Sequence, residues 1–204
     1  MKHFRIIWLL ALFVQLTATT DLLGQKWDFV RKRDQIMLYT RKEGNGSLKS
    51  FRGVTDIRGD FREIITMIGN PKDLRWWGRD VHGIRVLDYE KDKHIQYYLI
   101  YDAPWPFTDR DLVSDVQITT DSLTGTRTVF SQPLLNVVPE SPGLVRVTKY
   151  WQKWTIQPLK KGVVHLTLEG YIDPAGNIPD WLYNMVVIDT PLRLIREVQK
   201  RVKQ

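Results

Sequence analysis

Four histidines (His3, His82, His94 and His165) and 23 carboxylates are the side chains best suited to move protons in this chain of 204 residues. Their placement is unpromising for catalysis. His3 falls in an apolar leader. His82 and His94 lie in or beside strand turns, and His165 falls on the polar side of an alternating strand. No two carboxylates have a spacing that assigns an acid and a base. There is no Gly-x-Ser-x-Gly elbow, no His-Glu-x-x-His pair and no phosphate-binding glycine loop. The absence of cysteine excludes disulfides, thiolate metal sites, iron–sulfur clusters and a thiol nucleophile. No catalytic residue, metal ligand or cofactor is therefore assigned.

Two segments carry more information. Pro104 and Pro106 bracket Trp105, fix the backbone and remove two amide donors. The segment cannot join a central strand, and it presents Trp105 and Phe107 as a compact apolar unit. It fits the rim of an apolar opening at a membrane interface, where Trp is favoured, or a buried turn that plugs a barrel end. Asp109, Arg110 and Asp111 follow, with Arg110 placed to form bidentate pairs with its neighbours as a structural ion cluster, or to meet a headgroup. Further on, Asp173-Pro174 and Gly176 form a tight turn ahead of Pro179 and Asp180, the latter an N-cap candidate.

Strands must position these segments. Trp27–Lys32, Ile36–Arg41 and Leu48–Ile57 read as strands, followed by a short helix Phe61–Ile68 capped by Asp60 and a second over Lys72–Trp77. Val81–Tyr89, Ile95–Tyr101, Leu112–Thr119, Arg127–Val138, Leu144–Pro158 and Val163–Ile172 are rich in β-branched, aliphatic and aromatic residues. In the last of these Val164, Leu166, Leu168 and Ile172 share one face, opposite His165, Thr167 and Glu169. Trp181, Met185, Ile188, Leu192, Ile195 and Val202 then draw one apolar stripe along a terminal helix, which Pro191 should kink one turn earlier. The order predicts an α+β domain in which a curved antiparallel sheet wraps around a long C-terminal helix.

Residues 1–24 read as an address. Lys2 and Arg5 precede the apolar run Ile6–Val14, which is too short to span a bilayer, and small or polar residues follow it. A secretory signal peptide is expected, cleaved after Gly24 or near Ala18, with a single membrane anchor as the alternative. Residues 25–204 then form one exported domain, periplasmic or secreted. Eight Trp, eight Tyr and seven Phe provide for a sizeable core. The net charge of +7 is scattered, apart from Arg31-Lys32-Arg33 and the terminal basic residues. That suits docking to an anionic membrane better than nucleic-acid binding.

The segments Pro104–Asp111 (PWPFTDRD) and Asp173–Asn184 (DPAGNIPDWLYN) resemble the START family, the steroidogenic-acute-regulatory-related lipid-transfer domains. Weaker echoes are Ile36–Arg41, Phe51-Arg52-Gly53-Val54 and Trp76. The resemblance implies a helix-grip fold with a lipid tunnel between sheet and last helix, gated in part by the loop holding Trp105 and Phe107. It implies a protein that binds one lipid, touches membranes transiently and carries its cargo as a monomer without chemistry. A helix-grip enzyme of the cyclase or hydrolase type is the alternative. Such a tunnel replaces the bilayer as solvent, at about 0.8 kcal/mol per buried methylene. Candidate lining residues are Val113, Val147, Val164, Leu166 and Leu168 from strands and Met185, Ile188 and Leu192 from the helix, with closed core as the alternative for each. Asp115 is a possible polar anchor whose face depends on a strand register that one residue would reverse.

Overall fold

The structure, a computed structural model, describes residues 26–70, 81–159 and 162–202. The leader, the expected helix over Lys72–Trp77 and Trp76 lie outside the described residues. Ten strands follow in chain order: β1 Asp28–Arg33, β2 Ile36–Lys42, β3 Lys49–Arg58, β4 Val81–Glu90, β5 His94–Tyr101, β6 Arg110–Thr120, β7 Arg127–Pro133, β8 Val145–Arg146, β9 Tyr150–Pro158 and β10 Val163–Ile172. Among the described residues three helices join them: α1 Phe61–Ile68, α2 Asp180–Val186 and α3 Asp189–Val202. The sheet order is β1-β2-β3-β10-β9-β7-β6-β5-β4, and β8 pairs in parallel with β6.

Alternation decides the two faces of this sheet. Leu166 pairs with Ile156 and Thr55, and Leu168 with Trp154 and Gly53, so their side chains share the inner face and build the core. Asp60 caps α1 as its sequence predicts, accepting from the Glu63 amide. Two strands are shorter than predicted. β7 ends at Pro133, and the chain leaves the sheet as an excursion over 134–149 that returns only through the two residues of β8. Proline has no donor for the ladder, and Asn136 and Gly143 adopt positive φ, which breaks an extended run.

The terminal helix is divided. α2 ends at Val186, Val187 and Ile188 form a turn, and α3 starts at Asp189. Pro191 sits in the first turn of α3, where its missing amide removes no helical bond, so the break falls one turn before it. The predicted single stripe does not survive this break. Ile188, Leu192 and Ile195 are buried, whereas Trp181 and Met185 are exposed on α2, whose buried residue is Tyr183. Asp180 is the first residue of α2 and not its cap. Pro179 holds that position, and the Asp180 carboxylate accepts from Ser47 Oγ.

α3 packs on β2, β3 and β10 through Pro191, Leu192, Ile195 and Val198. Gly53 of β3 permits the approach, since a Cβ there would stand 2.7 Å from Ile195 Cδ1 and 2.9 Å from Pro191 Cβ. Alanine ordinarily favours a strand interior over glycine, but here overpacking outweighs the entropy gain. Gly53→Ala should lower stability by about 1–3 kcal/mol in thermal or denaturant unfolding. A variant as stable as the parent would show that α3 is not seated by this contact.

Candidate functional site

A part-open cavity of about 800 Å³ lies between the inner face of the sheet and one side of α3. Its sheet wall alternates as a strand face must: Tyr97, Leu99 and Tyr101 of β5, Leu112 of β6, Tyr150 and Gln152 of β9, and Ile172 of β10. The helix wall is mostly charged instead, with Thr190 and Leu192 among the charges. Asp189, Arg193, Arg196, Glu197 and Lys200 recur at helical spacing over the cavity, while the apolar side of α3 is spent on the core. Several of these charges are paired at the edge: Asp189 with Arg31 at 2.6 Å, Lys200 with Glu197 at 2.6 Å, and Arg196 with Asp34. Burial pushes the Tyr97 and Tyr101 phenols up to about 12, so the sheet wall is neutral at physiological pH. Among the described residues, no group of three or more His, Asp or Glu side chains has the geometry to hold a metal ion.

The loop between β5 and β6 borders this cavity. Pro104 lines it, and Trp105 stands 92% exposed next to it. Asp109 closes the neck of the loop by accepting from the Ala103 amide at 3.0 Å, and the Phe107 amide donates to the Pro104 carbonyl at 3.0 Å. Arg110 is only 2% exposed and forms no pair with its neighbouring carboxylates. Its guanidinium donates to the Thr108 carbonyl, to Pro174 O at 3.2 Å and to Ala175 O at 3.3 Å. Burial lowers its pKa, with Asp109 opposing. Asp111 points to the opposite face, where it takes a bidentate pair from Arg146 at 2.8 and 2.9 Å and a bond from Tyr98 Oη at 3.0 Å. The predicted Asp–Arg–Asp cluster is thus divided, because adjacent strand residues face opposite ways. Arg110 joins the Pro104–Asp111 segment to the Asp173–Asn184 segment, and Asp111 pins the 134–149 excursion.

No family model matches the chain. It is 30% identical over 185 residues to an uncharacterized protein of Pseudomonas aeruginosa, PA1579, covering 89% of each. The crystal structure of the STAR-related lipid transfer protein from Xanthomonas axonopodis superposes with a TM-score of 0.79 at 26% identity, covering 87% of this chain and 99% of that one. Human StAR-related lipid transfer protein 5 superposes with a TM-score of 0.77 at 20% identity, covering 91% and 89%. The chain belongs to the START family. Its fold is the helix grip, with α3 held across the inner face of the sheet.

In this START domain Leu192 lines the cavity. Val164, Leu166, Leu168 and Ile188 are buried in the core cluster and do not reach it. Val113 lies on the outer face of β6, because Leu112, one residue away, takes the inner face, and Val147 belongs to the 134–149 excursion; both line a separate hollow there and not the cavity. Met185 is exposed on α2. Phe107 is half-buried, its ring 6.0 Å from the Arg110 guanidinium. Sequence reasoning missed Tyr97, Tyr150 and Gln152 on the sheet wall. Their signal was the alternation of β5 and β9. It missed Arg146 as well, which nothing local marks.

His165 and His94 lie outside the cavity, on the outer face. His165 Nδ1 meets Asp56 Oδ1 at 2.6 Å. His94 bridges Asp115, at 2.6 Å from Nε2, and Asp88, at 3.3 Å from Nδ1. Asp115 is therefore an outer-face brace across β5 and β6, not a polar anchor in the cavity. Its hydrogen bond raises the His94 pKa, partly offset by burial, with Asp88 adding to the rise. Burial pushes the Asp115 carboxyl up, but bonds from Gln117, His94 and Gln96 outweigh it and hold it below its usual range.

A raised imidazole stabilises the fold fully below its ordinary value of 6.5 and loses that contribution as pH rises through the folded value. A lowered carboxyl contributes above 3.8 and loses its share as pH falls through the folded value. The Tm should therefore fall on the alkaline side of 6.5 in the native chain and stay flatter in His94→Gln. An identical slope in both would remove the brace from the account. Arg110→Lys keeps the charge but not the fork, and should cost about 1.5–3 kcal/mol in unfolding free energy. A loss below a few tenths of that would mean the two segments are held together by something else.

Proposed function

We propose that this START domain binds one lipid or other hydrophobic molecule in the cavity and carries it between membranes, or presents it, without catalysis. The observation that carries the reading is the cavity itself. Its volume lies within the roughly 300–1,000 Å³ of small-molecule sites, and its sheet wall is apolar and aromatic. A chain of about sixteen carbons costs on the order of 13 kcal/mol to expose to water, which such a wall recovers in large part. The family supports the same reading. The Xanthomonas and human structures it resembles are named as lipid transfer proteins. Neither His94 nor His165 reaches the cavity, which speaks against acid–base work there.

Membrane contact follows from the mouth. Trp105 adjoins Pro104, and the exposed Met185 adjoins Val186, while Pro104 and Val186 both line the cavity. Trp181, one turn before Met185, is 67% exposed. Exposed tryptophans beside an apolar opening fit a transient seat at a bilayer interface, with basic residues adding about 1 kcal/mol each near an anionic surface. The reading is completed by export behind the N-terminal leader and by action as a monomer.

Organic extraction and native mass spectrometry of the purified chain should find a hydrophobic ligand, and the chain should move lipid between vesicles. Thr190→Trp projects a large ring from the helix wall into the cavity and should slow transfer at least about fivefold with Tm little changed. Full transfer by that variant, or a chain that neither extracts nor takes up any hydrophobic ligand, would sink the proposal.

A further inference from the structure

A band of polar side chains crosses the inner face of the sheet, and two of them, Tyr97 and Gln152, line the cavity. Tyr97 of β5 pairs across to Ser114 of β6, and Ser131 of β7 pairs across to Gln152 of β9. Ser114 and Ser131 are diagonal neighbours between β6 and β7, so the four residues cross four adjacent strands on one face. Both serines are buried. The Tyr150 hydroxyl reaches the same level and is spent on main chain, within 3.1 Å of both Val113 O and Gln132 O. The Tyr97 hydroxyl faces the Ser114 and Ser131 hydroxyls. Ser114 Oγ, fully buried, lies beside the Tyr97 and Tyr150 hydroxyls without a well-aligned hydrogen bond, and one group is left over. The Gln152 amide lines the cavity, and among the described residues none hydrogen-bonds to it. A half-buried amide facing an apolar wall is costly unless something pairs with it, and it can both donate and accept.

We infer that Gln152, supported by Ser114 and Tyr97, is a subsite for an uncharged hydrogen-bonding group of the ligand, a hydroxyl or a carbonyl. The inference rests on the cavity reading above and narrows it. Chemistry excludes an ionised group at this point. The band contains no charged side chain, so a carboxylate or phosphate placed there would be buried without a counter-ion. The charged groups of the cavity belong to α3 and to Arg33 and Asp102. The ligand therefore turns a neutral polar group toward β9 and leaves any charged group on the helix side or at the mouth.

The experiment uses the chain as purified, stripped of ligand, with diphenylhexatriene as a purely apolar fluorescent probe. 1-Dodecanol and 1-dodecene serve as competitors that differ in one hydroxyl. In Gln152→Leu the ratio of alcohol to alkene affinity should fall about three- to tenfold, the value of one hydrogen bond, with probe affinity unchanged. Ser114→Ala, which removes no apolar volume, should lower the same ratio in the same direction. If the probe binds and the ratio stays constant in both variants, the subsite is overturned while the cavity reading stands. If the unmodified chain binds no probe, the cavity reading itself fails, and the subsite with it.

Discussion

A guanidinium at 2% exposure must be satisfied by whatever surrounds it, and Arg110 is satisfied by three backbone carbonyls. That choice organises the domain. Carbonyls 174 and 175 sit in the turn after β10, where Ala175 and Gly176 both take positive φ and Asp173 accepts the Ala175 amide. Carbonyl 108 sits in the loop after β5. One side chain therefore fixes the loop beside the cavity and the turn that launches the terminal helices. A carboxylate partner would have neutralised the charge without tying two stretches of main chain together. The fork of Arg suits this task, because each N–H points in a fixed direction.

A second constraint acts from the other end. α3 is amphipathic in two senses. Leu192, Ile195 and Val198 press toward β3 and β2, where Gly53 leaves room. The opposite side, with Arg193, Arg196 and Lys200, overhangs the cavity. A helix seated this deeply against one part of a curved sheet cannot also cover the strands from β5 to β6. The cavity is what that geometry leaves: an apolar sheet wall facing the polar side of a helix. Its mixed character follows from the fold, since a helix with one apolar stripe can spend it only once.

The fold was legible in the sequence because its signals are local. Alternation in Val163–Ile172 gave the buried face of β10, and the Asp60 cap and the Pro191 break were read at their positions. The two motif segments gave the family. The site was legible only in outline. Val113 and Leu112 look equally suited to a cavity wall, and only the pairing of β6 with β5 decides that Leu112 faces inward. Met185 belonged to a stripe that held only if the helix was continuous, and the turn at Val187 and Ile188 resets the phase. Arg146 pairs with Asp111 across 35 residues, a distance that no local pattern encodes. Gln152 sits between Trp151 and Lys153 in the stretch Leu144–Pro158, read only as one long strand. Its importance depends on its having no partner among the described residues, which is a property of the assembled wall.

The two helices differ in what holds them. α3 buries Pro191, Leu192, Ile195 and Val198, so moving it would expose a large part of the core. α2 buries one side chain of its own, Tyr183, and lacks a side-chain cap. It is tied down by hydrogen bonds to the turn before β3: Asn184 accepts from the Lys49 amide at 2.9 Å and donates to Ser47 O at 2.8 Å, and Asp180 accepts from Ser47. Exposed hydrogen bonds open at a lower cost than buried apolar contacts. The low-stability element is therefore the one that carries Trp181 and Met185 outward and Val186 into the cavity lining. A membrane surface that took up those side chains would act on the segment of the domain least expensive to displace, and the deeply seated α3 would keep the rest of the grip intact.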